Sequence, residues 1–209
     1  MSPPLAISDL AAQFGNIDIY LFDQLLRGRL RPPMRVLDAG CGSGRNLVHL
    51  LRAGYEVFAA DDDTDAVQAV RQMAATLAPS LPESNFHVEQ IEAMTFPDAA
   101  MDAVISSAVL HFARDDRHFE AMLQGFWRVL KPGGLFFCRM ASSIGMEDRV
   151  QLLANGRFRL PDGSERYLVD EARLVSATER LGGTLVDPLK TTIVQDQRCM
   201  TTWVVRKAS

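Results

Sequence analysis

An acid followed by glycines at every second position is the first feature able to do chemistry. In "VLDAGCGSGRN", Val36 to Asn46, Asp38 closes an apolar run, and Gly40, Gly42 and Gly44 follow. Glycines let a backbone pass through left-handed conformations and let a ligand approach the main chain closely. A dinucleotide fingerprint would space them G-x-G-x-x-G, the third glycine packing helix on strand. Here the third comes one residue early, and Arg45 holds its place. The G-x-x-x-x-G-K-[ST] phosphate loop is absent too. A carboxylate beside such a turn is wrong for pyrophosphate and suits a cationic ligand with a free amine.

A second group of acids follows in "EVFAADDDTDAV", with Asp61, Asp62 and Asp63 at the end of another apolar run. They lie about 20 residues after the turn, the separation at which an acid reaches a ribose hydroxyl pair. A carboxylate accepts both hydroxyl hydrogens. The same acids also suit a helix start. Both roles are expected: Asp61 for the ribose, Asp62 beside the base, Asp63 and Asp65 for the helix. His111, in "SSAVLHF", is the candidate general base, with a pocket-wall or structural histidine as the alternatives. His49 and His118 read as structural. The four histidines lack carboxylate or cysteine partners at ligand spacing, so no metal is expected. Cys41, Cys138 and Cys199 form no redox or metal pair and read as reduced, buried thiols.

Short apolar runs alternating with helical patterns position these residues. Strands are expected at Val36–Ala39, Val57–Ala60, Phe86–Val88, Ala103–Ser106 and Leu135–Arg139. Helices are expected at Gly44–Ala53 with Gly54 as its stop, after Thr64 as a cap, at about Asp116–Leu130, and at Asp170–Leu181. Thr184–Val194 and Cys199–Val205 would close as an antiparallel hairpin. Such alternation implies an α/β fold, a mainly parallel sheet with helices on both faces. Ligands then bind beyond the carboxyl ends of the strands, so the loops after Ala39, Ala60, Val88 and Ile105 should share one crevice. Two segments stand outside the alternation. Residues 1–31 hold two expected helices over Ser8–Arg31, and residues 141–169 hold a hairpin around the Pro-Asp-Gly of "FRLPDGSERYLV". Each either folds over the crevice as a lid or simply covers the sheet.

"VLDAGCGSGRN", the "AADDD" strand end, "FPDAAMDAVISSAVLHF" and "RVLKPGGLFF" occur in an order and spacing that resembles the class I S-adenosylmethionine-dependent methyltransferases. The likeness covers about Val36 to Phe137. Within the class, "GCGSGRN" and the chain length are most similar to small-molecule enzymes of the tellurite-resistance type. The resemblance implies a three-layer sandwich around a seven-stranded sheet with a last antiparallel hairpin. It also implies S-adenosyl-L-methionine as methyl donor. Asp38 and the backbone of Ala39, Gly40 and Gly42 would serve its methionine part, Asp61 the ribose, and Asp62 the adenine side, with Asn46 a further cofactor-binding residue. Gln90 stands where the family usually places an acid for the adenine amino group, with Glu92 as the nearby alternative; the amide of Ile91 would follow. Ser106 and Ser107 would border the sulfonium. Tyr20, Arg139 and Met140 are candidate acceptor-pocket residues, with Arg157, Arg159 and Tyr167 behind them. Arg157 and Arg159 equally fit one solvated face of a hairpin.

The bulk numbers suit one domain of 209 residues with an ordinary apolar fraction of 47% and a net charge of −4. That acidic balance weighs against a broad nucleic-acid or anionic-membrane surface, although Arg27, Arg29, Arg31 and Arg35 make a local basic cluster. "MSPPLAISDL" lacks the pattern of a signal peptide, and no apolar run nears the roughly 20 residues of a membrane span. A cytoplasmic, non-membrane protein is the expectation, as monomer or homodimer. The functional expectation is methyl transfer to a small-molecule acceptor by in-line displacement. The alternatives are a protein or RNA methyltransferase, and a non-catalytic S-adenosylmethionine-binding regulator.

Overall fold

A computed structural model describes residues 7–209, so the first six residues of the expected N-terminal cover lie outside the described part. The chain runs α1 (Ile7–Phe14), α2 (Ile19–Leu26), β1 (Arg35–Ala39), α3 (Val48–Arg52), β2 (Glu56–Asp61), α4 (Thr64–Leu77) and β3 (Phe86–Val88). It continues through β4 (Met101–Ser107), α5 (Asp116–Val129), β5 (Leu130–Ala141), β6 (Gln151–Ala154), β7 (Arg157–Arg159) and β8 (Glu165–Tyr167). It ends with α6 (Glu171–Arg180), β9 (Gly183–Leu185), β10 (Lys190–Val194) and β11 (Arg198–Lys207). No described helix is long and apolar enough to cross a membrane.

The main sheet has the order β10-β11-β5-β4-β1-β2-β3. From β5 to β3 every pairing is parallel, and β11 joins β5 antiparallel. Buried strands drive this: β1 is buried from Val36 to Ala39, and β4 is buried over most of its length. One face packs Leu37, Phe58, Phe136 and Trp203 against α5 and α6. The other packs Val36, Ala59, Ile105 and Val204 against α2, α3 and α4. The three-layer expectation therefore holds. Strand order reverses between β1 and β4, which opens the crevice at their carboxyl ends.

Local differences have physical causes. The expected helix from Gly44 begins only at Val48, because Gly40, Gly42 and Gly44 all hold positive φ (81°, 49° and 78°) and Leu47 offers no side-chain cap. Asp63, not Thr64, caps α4, accepting from the amides of Asp65 and Ala66. The expected strand Thr184–Val194 is two strands, β9 and β10, lying end to end along β11. Pro188 has no amide to give a ladder, and Asp187 turns aside to pair with Arg29 at 2.5 Å. The predicted hairpin of 141–169 is a three-stranded antiparallel sheet. Its extra turn is Asn155-Gly156, both at positive φ (54° and 78°), a hairpin signal the sequence carries.

Trp203 ties the edge hairpin into the core. It is fully buried, its Nε1 donates to Thr178 Oγ1 at 2.9 Å, and its ring meets Phe136 edge-on. Trp203→Ala should lower unfolding free energy by about 3–5 kcal/mol in urea titrations, as large-to-small changes in well-packed cores do.

Candidate functional site

The loops after β1, β2, β3 and β4 meet around a cavity of about 600 Å³. Its wall includes Gly40, Cys41, Gly42, Ser43, Arg45, Asn46, Asp61, Asp62, Gln90, Ile91, Glu92, Ser107, Ala108, Val109, Phe112 and Met122. The sequence expectation that these four loops share one crevice is met.

The glycine turn builds the floor. Gly40 donates to the Ala60 carbonyl at 2.8 Å, and any Cβ there would collide with Val109. Gly44 passes close beneath Val70 of α4. Gly42 instead faces open space and gives its amide to Asp61 Oδ2 at 2.8 Å. Asp61 Oδ1 accepts the Asp63 amide at 3.1 Å. Two backbone donors thus aim this carboxylate while each oxygen keeps acceptor capacity for a ligand.

Asp38 is the anomaly. It is 1% exposed, and neither carboxylate oxygen has a hydrogen-bond partner among the described residues. Burial raises its pKa to about 7; Asp61 adds to the rise and Arg45 opposes it. A buried, unpartnered acid under a glycine turn suits an ammonium or sulfonium ligand. Cys41, beside it, has its thiol pushed up by burial and by the charges of Asp38 and Asp61, so it is an inert packing group.

At the far end, Gln90 and Glu92 both line the cavity. Glu92 is engaged, with His118 Nε2 at 2.8 Å and Arg114 at 3.5 Å. Gln90 is exposed and makes no side-chain hydrogen bond among the described residues. Ile91 is 7% exposed, and Gly125 of α5 is required there, since a Cβ would strike the Ile91 carbonyl.

The remaining expected residues divide. Ser107 lines the cavity, but Ser106 does not. Successive strand residues face opposite sides, and Ser106 points into the core beside Cys138. Met140 is likewise fully buried in the core while Arg139 and Ala141 face the crevice side. Tyr20 does not line the cavity. Its hydroxyl is 2.6 Å from Thr192 Oγ1, and its ring stacks under the Arg139 guanidinium. Tyr167 is a core residue donating to Asp116. Arg157 bonds the Ala113 and Glu165 carbonyls, and Arg159 pairs with Glu165 in the small sheet, so neither forms acceptor wall. Ala39, fully buried, and Asp38 beside it lie behind the cavity wall at the end of β1.

His111 is held differently from the expected base. Its Nδ1 accepts the Ala141 amide at 3.1 Å, so the proton sits on Nε2. Burial, with Arg166 nearby, lowers its pKa to about 4. The expected general base is a neutral hydrogen-bond donor whose basic lone pair is already used.

One residue that the sequence did not single out, Asp18, links several of those that it did. Asp18, the 3%-exposed cap of α2, meets Arg139 at 3.0 Å and Arg45 at 3.6 Å. Its amide donates to Asn46 Oδ1 at 3.0 Å, and Arg45 donates to Ser107 at 2.9 Å. Asp18 and Arg139 are 121 residues apart, so no local pattern could join them.

Comparison with known proteins agrees with this geometry. Residues 37–138 match the model of the methyltransferase domain family. The chain is similar to the tRNA 5-carboxymethoxyuridine methyltransferase of Escherichia coli strain K12, 26% identical over 113 residues that cover 54% of this chain and 42% of the relative. It is similar to the ubiquinone/menaquinone biosynthesis C-methyltransferase UbiE of Zymomonas mobilis, 31% identical over 65% of this chain and 58% of the relative. The chain thus spans about half the length of the curated relatives it matches. Among solved structures, the 1,6-didemethyltoxoflavin-N1-methyltransferase of Burkholderia thailandensis, holding 1,6-didemethyltoxoflavin and S-adenosylhomocysteine, superposes with a TM-score of 0.70. It is 18% identical and covers 100% of this chain and 94% of its own, which shows the fold. Residues 37–138 therefore match a methyltransferase domain, and the chain has the fold of this solved methyltransferase.

The state of Asp38 sets a pH dependence. An unfolded aspartate ionises near 4, while the folded one holds its proton to about 7. This group's contribution to stability is therefore full below pH 4 and declines as pH rises from 4 through 7. Asp38→Asn should remove that decline and stabilise the ligand-free protein at pH 8 by roughly 2–4 kcal/mol, read from urea unfolding at pH 5 and pH 8.

Proposed function

We propose that the chain is an enzyme that moves a methyl group from S-adenosylmethionine to a small-molecule acceptor. The unpartnered Asp38 beneath the glycine turn carries this reading, because it fits a ligand whose methionine end is cationic. In this reading Asp38, Asn46 and the backbone of Gly40 and Gly42 hold the methionine part. Asp61 takes the ribose hydroxyls and Asp62 flanks the adenine. Gln90 accepts from the adenine amino group, and Ile91 offers its amide. Ser107 borders the reacting centre.

S-adenosylmethionine supplies an electrophilic methyl whose leaving group is a neutral thioether. What remains for the protein is alignment and exclusion of water, worth about 7–11 kcal/mol in favourable cases. The first helices suit that task. Asp18 joins α2 to Arg139, Tyr20 joins it to β10, and Arg29 and Asp23 bind Asp187 and Lys190. We read residues 7–31 and 141–169 as the two covers of the acceptor side.

An RNA acceptor is a second reading, favoured by the likeness to a tRNA methyltransferase. A net charge of −4 weighs against it, since nucleic-acid affinity rests on phosphate neutralisation. Titration calorimetry should show S-adenosylhomocysteine binding, weakened at least tenfold by Asp61→Ala, which strips the ribose hydroxyls of their acceptor. No binding to the unaltered protein removes the reading, and an unchanged affinity in the variant removes Asp61 from the ribose role. A turnover screen across phenols, amines, thiols, carboxylates and transfer RNA, read as S-adenosylhomocysteine release, separates the two acceptors.

A further inference from the structure

A second cavity of about 300 Å³ adjoins the first through Ala108, which lines both. It lies between the carboxyl end of β5, the small sheet and the β10–β11 turn. Ala108 stands at a left-handed φ of 66°, unusual for a residue with a side chain. Its amide donates to the Arg139 carbonyl at 2.7 Å, which fixes this partition between the cavities.

The lining is basic at one end and apolar at the other. Arg139, Arg166 and Arg198 face it with Asp162 and His111, while Leu160, Val194 and Met200 supply apolar wall. Arg139 is answered by Asp18. Neither Arg166 nor Arg198 forms an ion pair within 4 Å among the described residues. Asp162 is the one acid in the lining of this cavity, and its Oδ1 accepts both the amide and the hydroxyl of Ser164 at 2.9 and 2.6 Å. The charges therefore leave one positive charge in excess. His111 adds a neutral donor, since its Nδ1 is taken and its Nε2 bears the proton. One net positive charge, two forked guanidinium groups and a fixed N–H donor match a planar monoanion.

We propose that this second cavity is the acceptor's anchoring subsite and takes a carboxylate, held by Arg166 and Arg198 with His111 donating. The acceptor is then a small molecule with a carboxylate at one end, an apolar body, and a nucleophilic atom directed past Ala108 toward the first cavity. The anchoring site rests on the methyltransferase reading for its purpose, but its binding can be measured without turnover.

Benzoate is a suitable probe, and benzamide is its neutral counterpart of equal shape. In calorimetry with the full chain saturated with S-adenosylhomocysteine, benzoate should bind at least tenfold more tightly than benzamide. The doubly substituted Arg166→Ala, Arg198→Ala protein should lose that preference. Both arginines lie at the surface side of the cavity, and unchanged S-adenosylhomocysteine affinity in the variant would confirm its fold. Equal binding of benzoate and benzamide, no benzoate binding, or a preference that survives the double substitution would overturn the subsite. Failure of S-adenosylhomocysteine itself to bind would instead overturn the methyltransferase reading.

Discussion

A buried carboxylate that the fold leaves uncompensated is the constraint around which the rest is arranged. Asp38 sits one residue before the end of β1, in the middle of the sheet, where burial penalises its charge and no donor among the described residues answers it. The nearest amides are spent elsewhere: Gly40 and Cys41 donate to the Ala60 carbonyl, and Gly42 donates to Asp61. The turn thus holds two acids of opposite design. Asp61 is tethered by backbone and partly exposed, whereas Asp38 is buried and has no hydrogen-bond partner among the described residues. Folding forgoes stability at neutral pH here.

Sheet topology explains why this unfavourable group persists. The strand-order reversal between β1 and β4 makes one place where four loops diverge. The glycines let the first of these loops fold back against Val109 and Val70 without side chains of its own. Gly125 does the same for the loop around Ile91. The N-terminal helices and the small sheet then approach from above, each joined to the crevice by arginines. Arg139 is shared: its carbonyl holds Ala108, its guanidinium meets Asp18, and its face covers Tyr20.

Much of this is legible in the sequence where the signal is local. The parallel strands, the glycine turn and the acids after β2 announce themselves by period and spacing, and Phe86–Val88 falls where the pattern puts it. The failures are of two kinds. Ser106 and Met140 share strands with site residues, but the alternation of the strand turns them to the core. Long-range partners were out of reach: nothing near His111 in sequence shows that the Ala141 amide takes its lone pair, and nothing near Asp18 points to Arg139. The split of β9 from β10 was within reach, since Pro188 interrupts that run.

The central claim is that Asp38 is a receptor for positive charge. Carbon-13 NMR of the Asp38 side-chain carboxyl, titrated with and without S-adenosylhomocysteine, tests it directly. In the free protein the carboxyl should titrate near 7, and in the complex it should fall to the ordinary aspartate range near 4 or below. A carboxyl that titrates at the same pH with and without the ligand would contradict the account.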